Sequence, residues 1–159
     1  MIPRAMVPSA APASTDRGAA ELLAGVAFFS GFSDEQRRRI ASNSRRVRFR
    51  AGQQIYQVGE PSYVFYVLVD GSVFFSFAVG QRQAPAQVVG RGDVFGWAAL
   101  VEAGTPRNGS AAAMTDCTAL AFDGADLLAM ADADHTLGYA LMRALNKIIT
   151  GTLWAFVAG

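Results

Sequence analysis

The stretch "GDVFGWAALVEAGTPRNGSAAA", Gly92 to Ala113, decides how this chain is read. Gly92 and Gly96 bracket a turn that leads into a short apolar helical run. A second turn ends in Pro106-Arg107 before a run of small residues. A segment that only packs has no use for an arginine just past two small-residue turns. A helix start presents backbone N–H groups without intrahelical partners, and a guanidinium fork matches two oxygens of an anion. The combination reads as a pocket for an anion.

On the upstream side, "RVRFR" (46–50) alternates charged and apolar residues as a half-buried strand does. "QQIYQV", "YVFYVLV", "SVFFSFAV" and "AQVVG" follow, rich in Val, Phe and Tyr. Gly52, Gly59, Gly71, Gly80 and Gly90 separate these runs at intervals of seven to twelve residues. That rhythm belongs to a small all-β sandwich or barrel. Downstream, "GSAAAM" and "CTALAF" read as two more strands, and "DGADLLAMA" as a short helix started by Asp123. Before the strands, "ELLAGVAFF" and "SDEQRRRIAS" read as short helices, the second with Ser33 and Gln36 at capping-box spacing. No repeat of solenoid length is present.

From Asp134 to about Val157 the chain carries one long helical pattern. Leu137, Leu141, Leu145, Ile148 and Ala155 fall near one stripe; Tyr139, Met142, Ile149, Leu153 and Phe156 fall near another. A helix apolar on two faces leaves a large exposed patch on a monomer, so one face is expected to cover the β domain and the other to meet a second copy. A membrane span is not expected, because Arg143, Asn146 and Lys147 interrupt the run.

Whole-chain numbers exclude several classes. At 159 residues, 52% hydrophobic and 17% charged, the chain reads as one globular domain, residues 21–159, behind an Ala/Pro/Ser-rich disordered tail over 1–20. A formal charge of +1 gives no field for wrapping nucleic acid. Arg37, Arg38, Arg39, Arg45, Arg46, Arg48 and Arg50 cluster, and read as a solvated face. One cysteine, Cys117, and one histidine, His135, exclude a disulfide framework and any multi-histidine or all-cysteine metal site. The opening residues have no continuous apolar core, so no secretory signal is read and a reducing cytoplasm is expected. No nucleophile–base constellation emerges and no cofactor is implied, so the chain is not expected to be an enzyme.

"FSGFSDEQRRRIA", "FRAGQQIYQVGEPSYVFYVLVDGSV" and "GDVFGWAALVEAGTPRNGSAAAMTDCTALAF" together resemble the cyclic-nucleotide-binding domain family, which includes regulators of the catabolite-activator and Fnr type. Gly52, Gly59, Gly71, Gly92 and Gly96 stand where that family places turn glycines, and Arg107 to Cys117 keeps its spacing. The resemblance spans roughly residues 22 to 157. It implies an α+β fold: an antiparallel, jelly-roll-like double-stranded β-roll with short N-terminal helices and a long C-terminal helix. It also implies that the opening stretch is the phosphate-binding cassette, for cyclic AMP, cyclic GMP or another small anion. Signalling would run through the last helix to a homodimer or an effector protein.

The resemblance carries over residue by residue. Gly96, Ala98, Ala99 and Arg107 match the cassette. Trp97 stands where the family has a glutamate that accepts the ribose hydroxyl, and a tryptophan has one N–H donor and no acceptor oxygen. The expectation for Trp97 is that it fills the ribose space. Asn108 replaces a Ser or Thr and still donates to a phosphate oxygen. Thr136, Tyr139 and Arg143 lie where the family's long helix passes over the base; Tyr139 and Arg143 suit a dimer seam equally well. Cys117 is read as a buried small hydrophobe, His135 as a solvated residue near a helix start, and Glu60 as a turn residue. The chain stops at Gly159 without the helix-turn-helix of such regulators, so DNA reading by this chain is not expected. The competing reading is a ligand-free fold, closed by Trp97, that serves as a dimerisation or docking module.

Overall fold

The computed structural model describes residues 16–83 and 86–158. Three helical pieces come first: α1 (Asp16–Ala24), a 3-10 turn (Ala27–Phe29) and α2 (Asp34–Ala41). Helix α1 begins at Asp16, inside the segment 1–20 expected to be a tail; Ala19 and Leu23 are buried in the core, which is what orders it. Residues 1–15 of that segment lie outside the described residues. The capping box forms as read: the Gln36 N–H donates to Ser33 Oγ at 3.1 Å and the Ser33 N–H to Gln36 Oε1 at 2.9 Å.

The strands are β1 (Ser44–Phe49), β2 (Gln54–Tyr56), β3 (Val64–Asp70), β4 (Val73–Val79), β5 (Arg82–Gln83), β6 (Gln87–Val89), β7 (Val94–Phe95), β8 (Gly109–Ala113) and β9 (Cys117–Asp123). One sheet has the order β1-β9-β3-β7; the other runs β2-β8-β4-β5, with β6 also on β4, and every pairing is antiparallel. Two faces of the first sheet bury two different sets of side chains, because successive residues of a strand point to opposite sides. Val64, Tyr66 and Leu68 of β3, with Val47, Phe49, Ala119 and Ala121, face the inside of the roll and join Phe75 and Phe77 of the second sheet. Phe65 and Val67, with Leu120 and Phe122, face the helices. Burial on both faces is why "YVFYVLV" is an unbroken apolar run rather than an alternation.

Short helix α3 (Ala98–Val101) follows β7, and α4 (Gly124–Ala133) and α5 (His135–Ala158) follow β9. Asp123 caps α4 by accepting the Ala125 N–H at 2.9 Å. The long helix starts one residue later than Asp134, which instead caps it, accepting from the Thr136 and Leu137 amides. Leu137, Leu141 and Leu145 of α5 are buried against the helix-facing core. Tyr139, Met142, Leu153, Trp154 and Val157 of the same helix are exposed. Among the described residues no helix is long and apolar enough to cross a membrane.

The arginine cluster is not one solvated face. Arg37 is half-buried and donates from Nη1 to the Phe29 and Phe32 carbonyls, tying α2 to the 3-10 turn. Arg39 pairs with Asp134 at 2.8 Å, while Arg45, Arg46 and Arg48 lie on β1.

Candidate functional site

The site is built where two turns meet. Gly96 joins β7 to α3 with φ +77, a conformation open to glycine at little cost. Its room is also spoken for: a Cβ there would lie 3.0 Å from the Val64 carbonyl oxygen, 3.1 Å from Arg107 Nη1 and 3.2 Å from Tyr66 Cδ2. The first N–H to close back on the turn is that of Ala99, to the Gly96 carbonyl at 3.4 Å, so the Trp97 and Ala98 amides precede any intrahelical bond.

Arg107 is placed by its backbone. Its N–H donates to the Glu60 carbonyl at 2.7 Å, its own carbonyl accepts from Gly59 at 2.8 Å, and Ser62 bonds the Thr105 carbonyl at 2.9 Å. The loop is thereby zipped to the 59–62 turn, and Glu60 takes part through its main chain. The guanidinium points inward and only 6% of the residue is exposed. Nη1 donates to the Gly96 carbonyl at 2.8 Å and Nη2 to the Val64 carbonyl at 2.7 Å. The guanidinium carbon sits 4.2 Å from the centre of the Tyr56 ring. Nε is buried with no hydrogen-bond partner.

Electrostatically this is a buried cation whose direct contacts are neutral carbonyls and a phenol ring. Burial presses the Arg107 pKa down, against upward pulls from Tyr56, Tyr66 and Glu60. Tyr56 is pushed up to about 12 by burial, with Arg107 and a backbone hydrogen bond from Gly96 working the other way. Carbonyl dipoles satisfy two donors, yet carry no net charge. A buried cation held in no ion pair is costly, and a bound anion lowers that cost.

Of the residues expected from sequence, Gly96, Ala98, Ala99 and Arg107 come together, the first three buried beside the guanidinium's turn. Asn108 is exposed. Trp97 does not behave as expected: its half-buried ring packs against the helix-facing core rather than within the roll. Trp97 is the N-cap of α3 with helical backbone angles, so strand alternation does not govern where its side chain goes. Thr136 is exposed, and Tyr139 and Arg143 line a separate cleft of about 560 Å3 with Phe28, Gly92, Val94 and Lys147. The residue of α5 that reaches the roll is Phe156, 5.7 Å from the Phe77 ring, with Arg82 4.9 Å above its own ring. Cys117 is buried and His135 exposed, as read. Tyr56, Tyr66 and Phe156 are the site groups that sequence reading missed. Strand alternation marks the two tyrosines as inward, but nothing local ties them to an arginine more than forty residues away.

A model of the cyclic nucleotide-binding domain matches residues 46–134. No curated protein matches the sequence. Among solved structures, a protein from Geobacter metallireducens GS-15 described as cyclic nucleotide-binding is similar at 24% identity and TM-score 0.72, over 85% of this chain and 98% of that one. The N-terminal domain of a transcriptional regulator from Streptomyces coelicolor A3(2) is similar at 25% identity and TM-score 0.66, over 82% and 94%. The regulatory domain of Toxoplasma gondii PKA, crystallised with cAMP, is similar at 22% identity and TM-score 0.66; the match covers 87% of this chain and 49% of that one.

Proposed function

The chain belongs to the cyclic nucleotide-binding domain family, and from that premise we propose that it is a regulatory sensor module binding a cyclic nucleotide or another small anion at Gly96–Ala99 and Arg107. One observation carries the reading: Arg107 is buried, held by carbonyls, and forms no ion pair among the described residues. An anion would take over donors now given to Gly96 and Val64, and would receive further N–H groups from the start of α3. Asn108, exposed at the rim, is then within the loop that rearranges.

Signalling follows from what the same segment touches. Glycine at position 124 lets α4 start against the Ala99 carbonyl, so α3 cannot move without α4 feeling it. Helix α5 continues from α4 and ends on the roll through Phe156. A ligand that prefers one pose of this unit shifts its population. The exposed Tyr139, Met142, Leu153, Trp154 and Val157 of α5 make a homodimer or an effector contact the readout. The role is ligand binding rather than catalysis, and the free buried thiol of Cys117 suits a reducing cytoplasm.

A second reading has its own observation: both Nη groups of Arg107 are already satisfied internally, as in a pocket that has closed for good. Calorimetry against cyclic AMP, cyclic GMP and cyclic dinucleotides separates the two. The sensor reading expects heat with at least one ligand and its loss in Arg107→Ala. No heat with any ligand, together with affinity gained in Trp97→Glu, establishes the ligand-free docking module instead.

A further inference from the structure

Arg45 lies in the same row of the first sheet as the site's tyrosine. It pairs with Ala121, Ala121 pairs with Tyr66, and Tyr66 pairs with Phe95, the residue before Gly96. Two strand spacings separate Arg45 from Tyr66, roughly 10 Å between Cα atoms. Val47 and Phe49, two and four residues further along β1, point into the roll. The period of two puts Arg45 on that same inward face. Its Nε is buried without a hydrogen-bond partner, as is that of Arg107, and these are the two such side-chain nitrogens among the described residues. Neither arginine forms an ion pair among the described residues.

Tyr66 stands between the two guanidinium groups in effect: burial raises its pKa, while Arg107 and Arg45 both draw it down. Both arginines thus act on the same phenol, and two like charges near one group repel each other. The residue that would recognise a cyclic nucleotide's ribose is absent as well, because position 97 carries an indole turned to the helical side.

We propose that Arg45 is a second cationic arm of the Arg107 pocket, and that the pocket selects a phosphomonoester, with two negative charges, over a singly charged cyclic phosphodiester. This rests on the anion-binding reading above and sharpens its ligand class. Two guanidinium forks offer donors for all three terminal oxygens of a monoester, whereas a cyclic diester presents two.

The test uses the full chain and four probes at pH 8: 5′-AMP, its phosphate monomethyl ester, cyclic AMP and inorganic pyrophosphate. A phosphomonoester is doubly charged at that pH, its second pKa being about 6. The wild type is expected to bind 5′-AMP or pyrophosphate at least about tenfold more tightly than the methyl ester or cyclic AMP, the size of one charge-assisted hydrogen bond. Arg45→Gln should erase that preference, weakening 5′-AMP or pyrophosphate binding at least about tenfold more than binding of the methyl ester or cyclic AMP. Arg45→Lys, which keeps the charge, should retain part of it. Thermal melts confirm that each variant folds. Equal or tighter binding of cyclic AMP, with Arg45→Gln silent on every probe, overturns the second arm but leaves the anion site standing. Binding of none of the probes and of no cyclic nucleotide, or an Arg107→Gln variant indistinguishable from wild type, overturns the anion site itself.

Discussion

Replacing Gly96 by alanine tests the geometry of the site at a single atom. The residue sits at φ +77, where a Cβ costs about 1–2 kcal/mol. The added carbon would also press on three neighbours at 3.0, 3.1 and 3.2 Å, two of which are the Val64 carbonyl and the Arg107 guanidinium. Crowding of this kind adds about 1–3 kcal/mol. Gly52→Ala is the control, because Gly52 has φ +84 but open space where its Cβ would go. With a urea dependence of about 2 kcal/mol per molar, Gly96→Ala should lower the unfolding midpoint by about 1–2.5 M and Gly52→Ala by about 0.5–1 M. Under folding conditions Gly96→Ala should also weaken anion binding, since the carbon displaces Nη1; Gly52→Ala should not. Equal midpoint shifts in the two variants would refute the claim that Gly96 is crowded by the arginine.

Gly124→Ala forces a methyl onto the Ala99 carbonyl, so it should lower the melting temperature by several degrees and, where ligand still binds, shrink any ligand-induced change in Trp154 fluorescence. Tyr56 has its pKa raised from 10.0 to about 12, so its contribution to stability is whole below pH 10 and is lost as pH rises toward 12. Alkaline denaturation followed by phenolate absorbance should show this fall, and Tyr56→Phe should flatten it. If the exposed face of α5 meets a second copy, as proposed, the wild type should sediment as a dimer and a Leu153→Glu, Trp154→Glu double variant as a monomer that still folds, because both side chains are exposed in the single chain; a monomeric wild type refutes the homodimer.

The fold was legible because its punctuation is local. Glycines between Val/Phe/Tyr runs, the Ser33–Gln36 box and the Asp123 cap each act within a few residues, and β1, β3, β4, β8, β9, α2 and α4 stand where they put them; the one helix read over "ELLAGVAFF" instead ends at Ala24 and is followed by the 3-10 turn Ala27–Phe29. Helix α1 was missed over Asp16–Ala20 because it is ordered by tertiary burial of Ala19 and Leu23 and not by its own polar, glycine-containing start. At the site, Gly96 and Arg107 were readable from spacing. Trp97 was misplaced because which side of the roll a residue faces depends on how α3 turns, and a four-residue helix carries no period to announce it. Tyr56, Tyr66 and Phe156 meet Arg107 or the roll mouth only through register between distant strands and the reach of α5, both of them non-local.

Helix α5 has 24 residues, about 36 Å of rigid rod. Its early turns are wedged by Leu137, Leu141 and Leu145, while its far tip rests on Phe77 and Arg82 through the Phe156 ring. Such a beam, clamped at the root and loosely propped at the end, magnifies: a tilt of about 5° at the root swings the tip by about 3 Å. A displacement too small to disturb the clamped leucines is thus enough to unseat Phe156 and open the mouth of the roll.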